Sequence, residues 1–327
     1  MYLLFEVYWI SGVALPEQIL LQIKNLTKSY GDILAVHNLS LDVFSGEIFG
    51  LLGPNGAGKT TTIKLMSGLL KPDSGDVILN GEPLAAGDPI VRKSIGICPQ
   101  ENVFWKKLSP MEQLIFLGDM YGMKPPLIRE RCLLLLDALG LSESANQLAG
   151  TLSGGMQRRL NIALALIHDP EIVILDEPEA GLDPQSRISV REYIKSLAVE
   201  KTVILTTHNM DEADRLADRV AIIDRGELLV LDSPDALKQT VGEGDVLEIN
   251  LLESTDQIEQ ALSLLEDQGQ ILVVDDVLQI RALDLINQFQ SILAALNEKN
   301  VQTGDIRLRK NTLEDVFIQL TGRRLRE

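Results

Sequence analysis

Residues 19–41 alternate with the two-residue period of strands. The runs ILLQIKNL and AVHNLSLDV flank the turn KSYGD and predict an antiparallel strand pair. The period then changes. EIFGLLG is a short, uninterrupted apolar run, read as a buried strand; it passes through GPNGAGKT into an apolar helix, TTIKLMSGLL, that stops before Pro72. Residues 101–149 carry helical spacing punctuated by Pro110, Pro125 and Pro126, which predicts a helical subdomain at about 101–150. Beyond it EIVILDEP and KTVILTTH are continuous apolar runs separated by helical stretches, the pattern of parallel strands covered on both faces.

The polar segment SPDALKQTVGEGD, at 233–245, reads as a linker. Past it the order strand (VLEINLL), helix (TDQIEQALSLLEDQ), two strands (QILVVDD, VLQIRAL), helix (LINQFQSILAALNEK), strand (VQTGDIRL) fits a split βαβ plan, with TLEDVFIQLTG as a last helix. The organisation expected is therefore an apolar leader at 1–18, a large α/β domain at 19–237 and a small α+β, ferredoxin-like domain at 245–327. A chain of 327 residues exceeds what one core usually organises, which agrees with two domains.

Composition narrows the functions. With 45% hydrophobic and 24% charged residues the chain is built to fold. A formal net charge of −17 disfavours a protein that works by neutralising nucleic-acid phosphates. Cys98 and Cys132 sit in apolar runs without metal-ligand spacing and read as buried small hydrophobes. The leader MYLLFEVYWISGVAL is about 15 residues long, short of the roughly 20 a spanning helix needs, and has no basic flank. It reads as an interfacial segment, a strand or, preferred here, the product of an upstream start codon chosen in error.

Three strings carry chemistry. GPNGAGKT matches GxxxxGK[ST] between a strand and a helix, where Gly53, Gly56 and Gly58 let backbone N–H groups turn onto phosphates and the helix N-terminus adds partial positive charge. Lys59 would reach the β- and γ-phosphates of a nucleotide, and Thr60 would ligate Mg²⁺. IVILDEP ends a strand with Asp176, suited to hold Mg²⁺ through water, and Glu177, suited to polarise or orient the attacking water. LSGGMQRRL opens an amphipathic helix with Ser153, Gly154 and Gly155, a second anion site that one nucleotide does not need.

Taken in order, GPNGAGKT, Gln100, LSGGMQ, ILDEP, GLDP and His208 resemble the ATP-binding subunit of an ABC transporter, over residues 21–237. The resemblance implies a P-loop NTPase cassette of α/β class with an antiparallel β edge and a helical subdomain, which binds ATP and Mg²⁺ and hydrolyses the ATP. Pro54, Asn55, Ala57 and Thr61 complete its phosphate loop, Tyr30 would stack on adenine, Gln100 would touch Mg²⁺ and sense the membrane partner, and His208 would contact the γ-phosphate. It also implies two cassettes, identical or not, stacked head to tail, so that Ser153, Gly154, Gly155 and Asp183 cap the ATP held by the other copy. Asp183 before Pro184 is also a helix N-cap, and both roles are compatible.

The carboxy-terminal domain, ending in NTLEDVFIQLTGRRLRE, is similar to that of drug, lipid and polysaccharide exporters. The implied function is an ATPase at the cytoplasmic face of the inner membrane, powering export through a separately encoded polytopic permease. The alternatives are an importer subunit, or a non-transport ABC ATPase acting on ribosomes; the latter usually carries two cassettes, and only one phosphate loop is found here. Some residues stand apart. Glu179 replaces the small hydroxyl residue usual after ILDEP and is read as a solvated side chain directed away from the phosphates. Phe104 and Trp105 fit either a partner-helix anchor or burial in the helical subdomain. Leu313, Val316, Phe317 and Leu320 share one helix face suited to docking on a sheet, and RRLRE reads as a solvated tail.

Overall fold

The computed structural model describes residues 18–322 except 86, 243, 253–269, 275–276, 284 and 300, so nearly all of the leader, the helix TDQIEQALSLLEDQ and the RRLRE tail lie outside the described residues. In chain order the elements are β1 (Ile19–Tyr30), β2 (Ile33–Phe44), β3 (Ile48–Leu52), α1 (Lys59–Met66), β4 (Ser74–Leu79), β5 (Glu82–Pro83), α2 (Pro89–Ser94) and β6 (Ile95–Cys98). They continue as α3 (Pro110–Met120), α4 (Pro125–Ala138), α5 (Gly154–Leu166), β7 (Ile172–Asp176), α6 (Pro184–Leu197), β8 (Thr202–Thr207) and α7 (Met210–Leu216). The last are β9 (Arg219–Asp224), β10 (Glu227–Asp232), α8 (Pro234–Thr240), β11 (Asp245–Leu251), β12 (Gln270–Val274), β13 (Val277–Ala282), α9 (Leu285–Glu298), β14 (Thr303–Arg309) and α10 (Leu313–Thr321).

The first sheet is the antiparallel edge, in order β2-β1-β4-β5. The second is the centre of the molecule, in order β10-β9-β3-β8-β7-β6, parallel except for the β10 edge. Every residue of β3, β7 and β8 is buried. Their continuous apolar runs are shared out by the strand period. Ile172 and Ile174 face a core with the first sheet and α1, whereas Val173 and Leu175 face a core with α3, α4, α5 and α6. Cys98 and Cys132 are buried and free, and burial pushes both thiols up to about 11.

Residues 74–98, where the hydrophobic pattern predicts no element, supply β4, β5, α2 and β6. The expected helix after the loop stops at Met66: Ser67 Oγ donates to Ile63 O at 2.7 Å, and Gly68 takes a left-handed φ of 64°.

The third sheet is antiparallel in order β12-β13-β11-β14, with Leu285, Ile292 and Leu296 of α9 on one face. The first crossover of the expected split βαβ plan falls at 253–269, outside the described residues. Helix α10 packs against elements of the central sheet: Leu313, Val316 and Phe317 are buried with Leu52, Met210, Ala213, Val220 and Ile222, and the stretch expected as a linker forms α8, with Leu237 and Val241 buried in the same core. Its start is fixed by a capping box, Thr312 with Asp315, and Arg309 donates to both Asp315 oxygens at 2.6 and 2.7 Å.

Candidate functional site

Four neighbouring parallel strands, β3, β8, β7 and β6, all end on one side of the central sheet, where open α/β sheets place their ligands. Their C-terminal extensions are the glycine loop, His208, the Asp176–Glu177 pair and Gln100 respectively. Topology thus gathers segments spread over some 150 residues of chain.

The loop is shaped by close backbone approach. A Cβ on Gly53 would lie 2.3 Å from Ile223 O, and one on Gly58, whose φ is 102°, would lie 2.4 Å from Ala35 O. Only glycine fits either position. Lys59 is 6% exposed and its Nζ donates to Gly53 O at 2.7 Å and Pro54 O at 3.1 Å. Burial lowers its pKa, and the negative charges of Glu177 and Asp176 oppose that shift. The ammonium is therefore aimed at the loop interior opposite two carboxylates. Thr60 lies exposed in the first turn of α1, beside half-buried Thr61.

Asp176 closes β7 and accepts a hydrogen bond from Thr206 Oγ1 of β8. Glu177, also buried, has a left-handed φ of 48°; its N–H donates to Thr206 O at 3.0 Å. Its two oxygens are separately engaged. Oε2 accepts from Gln100 Nε2 at 3.0 Å, and Oε1 lies 2.9 Å from His208 Nδ1. Glu177 is thus spanned from both sides by the two residues that the resemblance assigns to Mg²⁺ and to the γ-phosphate.

Arg158 of α5, missed by that reasoning, is 3% exposed and holds the same region by its backbone. Its guanidinium donates to Asp176 O at 2.6 Å, Glu177 O at 3.0 Å, Pro178 O at 3.2 Å, Pro99 O at 2.5 Å and Gln100 O at 3.2 Å. One side chain ties the end of β6 to the end of β7. Its only sequence signal is an arginine five residues into a helix that starts at Ser153, which says nothing of carbonyl partners.

Ser153, Gly154, Gly155 and Asp183 are placed differently. Ser153 is exposed and caps α5, its Oγ accepting from Met156 N at 3.3 Å. Asp183 is exposed and caps α6, accepting from Gln185 N at 3.1 Å, Ser186 N at 3.0 Å and Ser186 Oγ at 2.6 Å. Gly155 packs on Ser186, whose Oγ a Cβ would meet at 2.3 Å, so the two capped helix starts adjoin. Among the described residues neither Ser153 nor Asp183 hydrogen-bonds the glycine loop. Tyr30 ends β1 and is 48% exposed, on the sheet whose β2 borders the loop through Ala35.

One expectation changes and one open alternative is divided. Glu179 is not solvated: it is 6% exposed and both its oxygens accept from Arg191, at 2.9 and 2.7 Å, because α6 carries a fitting guanidinium. Phe104 and Trp105 part company. Phe104 packs on the core, while Trp105 is 46% exposed and meets Phe116 edge-on at 5.4 Å. Trp105 lines an apolar groove of about 510 Å³ whose other walls include Val103, Leu117 and Tyr121.

A glycine-walled loop with a buried lysine, facing two strand-end carboxylates on a parallel sheet, defines a P-loop nucleotide hydrolase. A family model for ABC transporters matches residues 36–180. The linearmycin resistance ATP-binding protein LnrL of Bacillus subtilis is 36% identical over 311 residues, covering 94% of this chain and 100% of that protein. The Nod factor export ATP-binding protein I of Sinorhizobium fredii is 40% identical over 315 residues, covering 94% of this chain and 87% of that protein. Among solved structures, the dimeric bacterial ABC transporter cassette MJ0796 is 29% identical, with a TM-score of 0.60 over 65% of this chain and 98% of that chain. The chain belongs to the ATP-binding subunits of ABC transporters and is an ATPase.

Proposed function

We propose that the chain powers export by a separate membrane permease, binding ATP on its glycine loop and completing each site with a second cassette. The observation that carries the chemistry is Glu177 held between Gln100 and His208. In this reading Gly53, Pro54, Asn55, Gly56, Ala57, Gly58, Lys59, Thr60 and Thr61 enclose the phosphates, and Tyr30 stacks on the adenine. Glu177 takes up the proton of the attacking water, His208 orients the γ-phosphate, and Gln100, bonded to Glu177, senses the membrane partner.

The donors suit Mg²⁺, which keeps several waters and takes only one or two protein oxygens beside the phosphates. Gln100 turns Nε2 to Glu177, leaving its carbonyl oxygen, Thr60 Oγ1 and, through water, Asp176 to hold the ion. Bound there, Mg²⁺ would neutralise charge building on the phosphoryl oxygens. Exposed Ser153, Gly154 and Asp183, with Gly155 buried behind them, then cap ATP on a second cassette, identical or different.

Export is favoured over import because relatives named for export and resistance align along 94% of the chain, carboxy-terminal domain included. Among the described residues no helix is long and apolar enough to cross a membrane, in keeping with a peripheral subunit at the inner face. The groove beside exposed Trp105 suits an inserted permease helix, since aromatic anchors dominate such contacts.

The test is Glu177→Gln. It should bind ATP with parental affinity and lose about 100-fold or more in kcat, as expected when an interaction specific to the transition state is removed. Hydrolysis at the parental rate would remove Glu177 from the chemistry.

A further inference from the structure

The turn after β7 contains an acid that the phosphate chemistry does not use. Glu179 is 6% exposed, and its fork to Nε and Nη2 of Arg191 joins this turn to the middle of α6. A second buried acid lies nearby. Glu212 of α7 is 4% exposed; its Oε2 accepts from Thr207 Oγ1 at 2.5 Å, and among the described residues its Oε1 has no hydrogen-bond partner. Arg191 and Glu212 act on each other through space: the carboxylate favours the charged guanidinium, and the guanidinium favours the charged carboxylate. Arg191 is thus bonded to one buried acid, on the turn of Glu177, and acts at longer range on a second, on the helix that follows His208.

The geometry continues to both reacting flanks. Thr207 Oγ1, while donating to Glu212, accepts from Asn209 N at 2.9 Å, so this chain of bonds reaches the backbone on either side of His208. On the other flank Glu179 is two residues from Glu177, whose left-handed backbone must be held against relaxation. Arg158 grips that turn only through carbonyls. The Glu179 carboxylate is where a second arginine grips it through a side chain.

We propose that Arg191 is a positioning residue for ATP hydrolysis: by clamping Glu179 from α6, which packs on the helix that follows His208, it holds the Glu177 turn and the His208 turn in register. This rests on Glu177 and His208 acting in hydrolysis. It also accounts for an acid standing where the family usually has a small hydroxyl: the departure comes with its own cation on α6. Since among the described residues Arg191 makes no hydrogen bond to the glycine loop, it governs how well the site is aligned and not how tightly ATP is held.

The experiment uses the full-length chain. Removing one partner alone would strand a buried charge and threaten folding, so the pair is neutralised together as Glu179→Gln with Arg191→Met, which buried ion pairs tolerate. The double variant should keep its melting temperature and ATP affinity while kcat falls about tenfold, the signature of lost alignment. Arg191→Lys, which keeps the charge but not the fork, should recover part of that rate, to about one third of parental. Parental kcat in a folded double variant would overturn the proposal, as would a loss confined to ATP affinity. Glu177→Gln measured alongside separates two failures. If it is inert while the double variant runs at the parental rate, only the role of Arg191 falls; if it runs at the parental rate itself, the site reading falls and the proposal with it.

Discussion

Glu177 occupies a backbone region that costs a non-glycine residue on the order of 1–3 kcal/mol, and it does so at φ 48°. The surroundings fix it: Thr206 O accepts from its N–H, Arg158 holds its carbonyl, and Gln100 and His208 engage its carboxylate. Behind it, Glu212 provides a titration that can be read from stability. Burial chiefly, then Glu179 and Glu177, push its pKa from 4.5 up to about 7, against the Thr207 hydrogen bond and Arg191. The folded state therefore keeps a proton that the unfolded chain has released, and between pH 4.5 and about 7 stability falls as pH rises. Glu212→Gln keeps an acceptor for Thr207 and removes the penalty. It should raise stability near pH 8 by up to about 3 kcal/mol and change little near pH 4.5, which denaturant melts at the two values would check. A gain equal at both would contradict the assignment. At this scale the sequence reveals residues whose role is set by backbone or motif: the loop glycines, Lys59, Asp176, Glu177. Arg158, Arg191 and Glu212 are hidden because their partners are brought together only by the fold, carbonyls and carboxylates 12 or more residues away for both arginines. Glu179 is misread for the same reason: its burial depends on a guanidinium one helix along.

Among elements, β3, β7 and β8 are legible as continuous apolar runs because both faces of each are covered. β6 is not. It is four residues long and includes Gly96, where a Cβ would lie 2.1 Å from Ala165 O, so close passage of α5 sets a residue that weakens the strand signal. Helix α10 shows the limit of periodicity. Its spacing reveals an apolar face but not the partner, and the helix closes a core with β3, β9 and α7, the helix that starts after His208. Leu320, on the same nominal face, is 47% exposed. Phe317→Ala should cost about 3–5 kcal/mol from cavity formation, whereas Leu320→Ala should stay within about 0.5 kcal/mol. Equal losses in chemical denaturation would mean that α10 does not seat as described.

At the scale of the whole molecule, the proposed function gives one chain two kinds of phosphate-binding surface. The glycine loop with Glu177, Gln100 and His208 forms the first, and the exposed helix start at Ser153 with its neighbour Asp183 forms the second. Among the described residues the two are not hydrogen-bonded to each other, so a single chain offers a half-site and a cap. The central claim is that a second cassette joins them. ATP then stabilises the closed pair by its extra affinity for that state, and hydrolysis releases it. The most direct measurement is sedimentation of full-length Glu177→Gln with and without Mg-ATP. The account requires a monomer without nucleotide, a dimer at saturating ATP, and loss of that dimer when Ser153 is also replaced by Glu. A protein that stays monomeric at saturating ATP, or dimerises as well with the Ser153→Glu change, would contradict it.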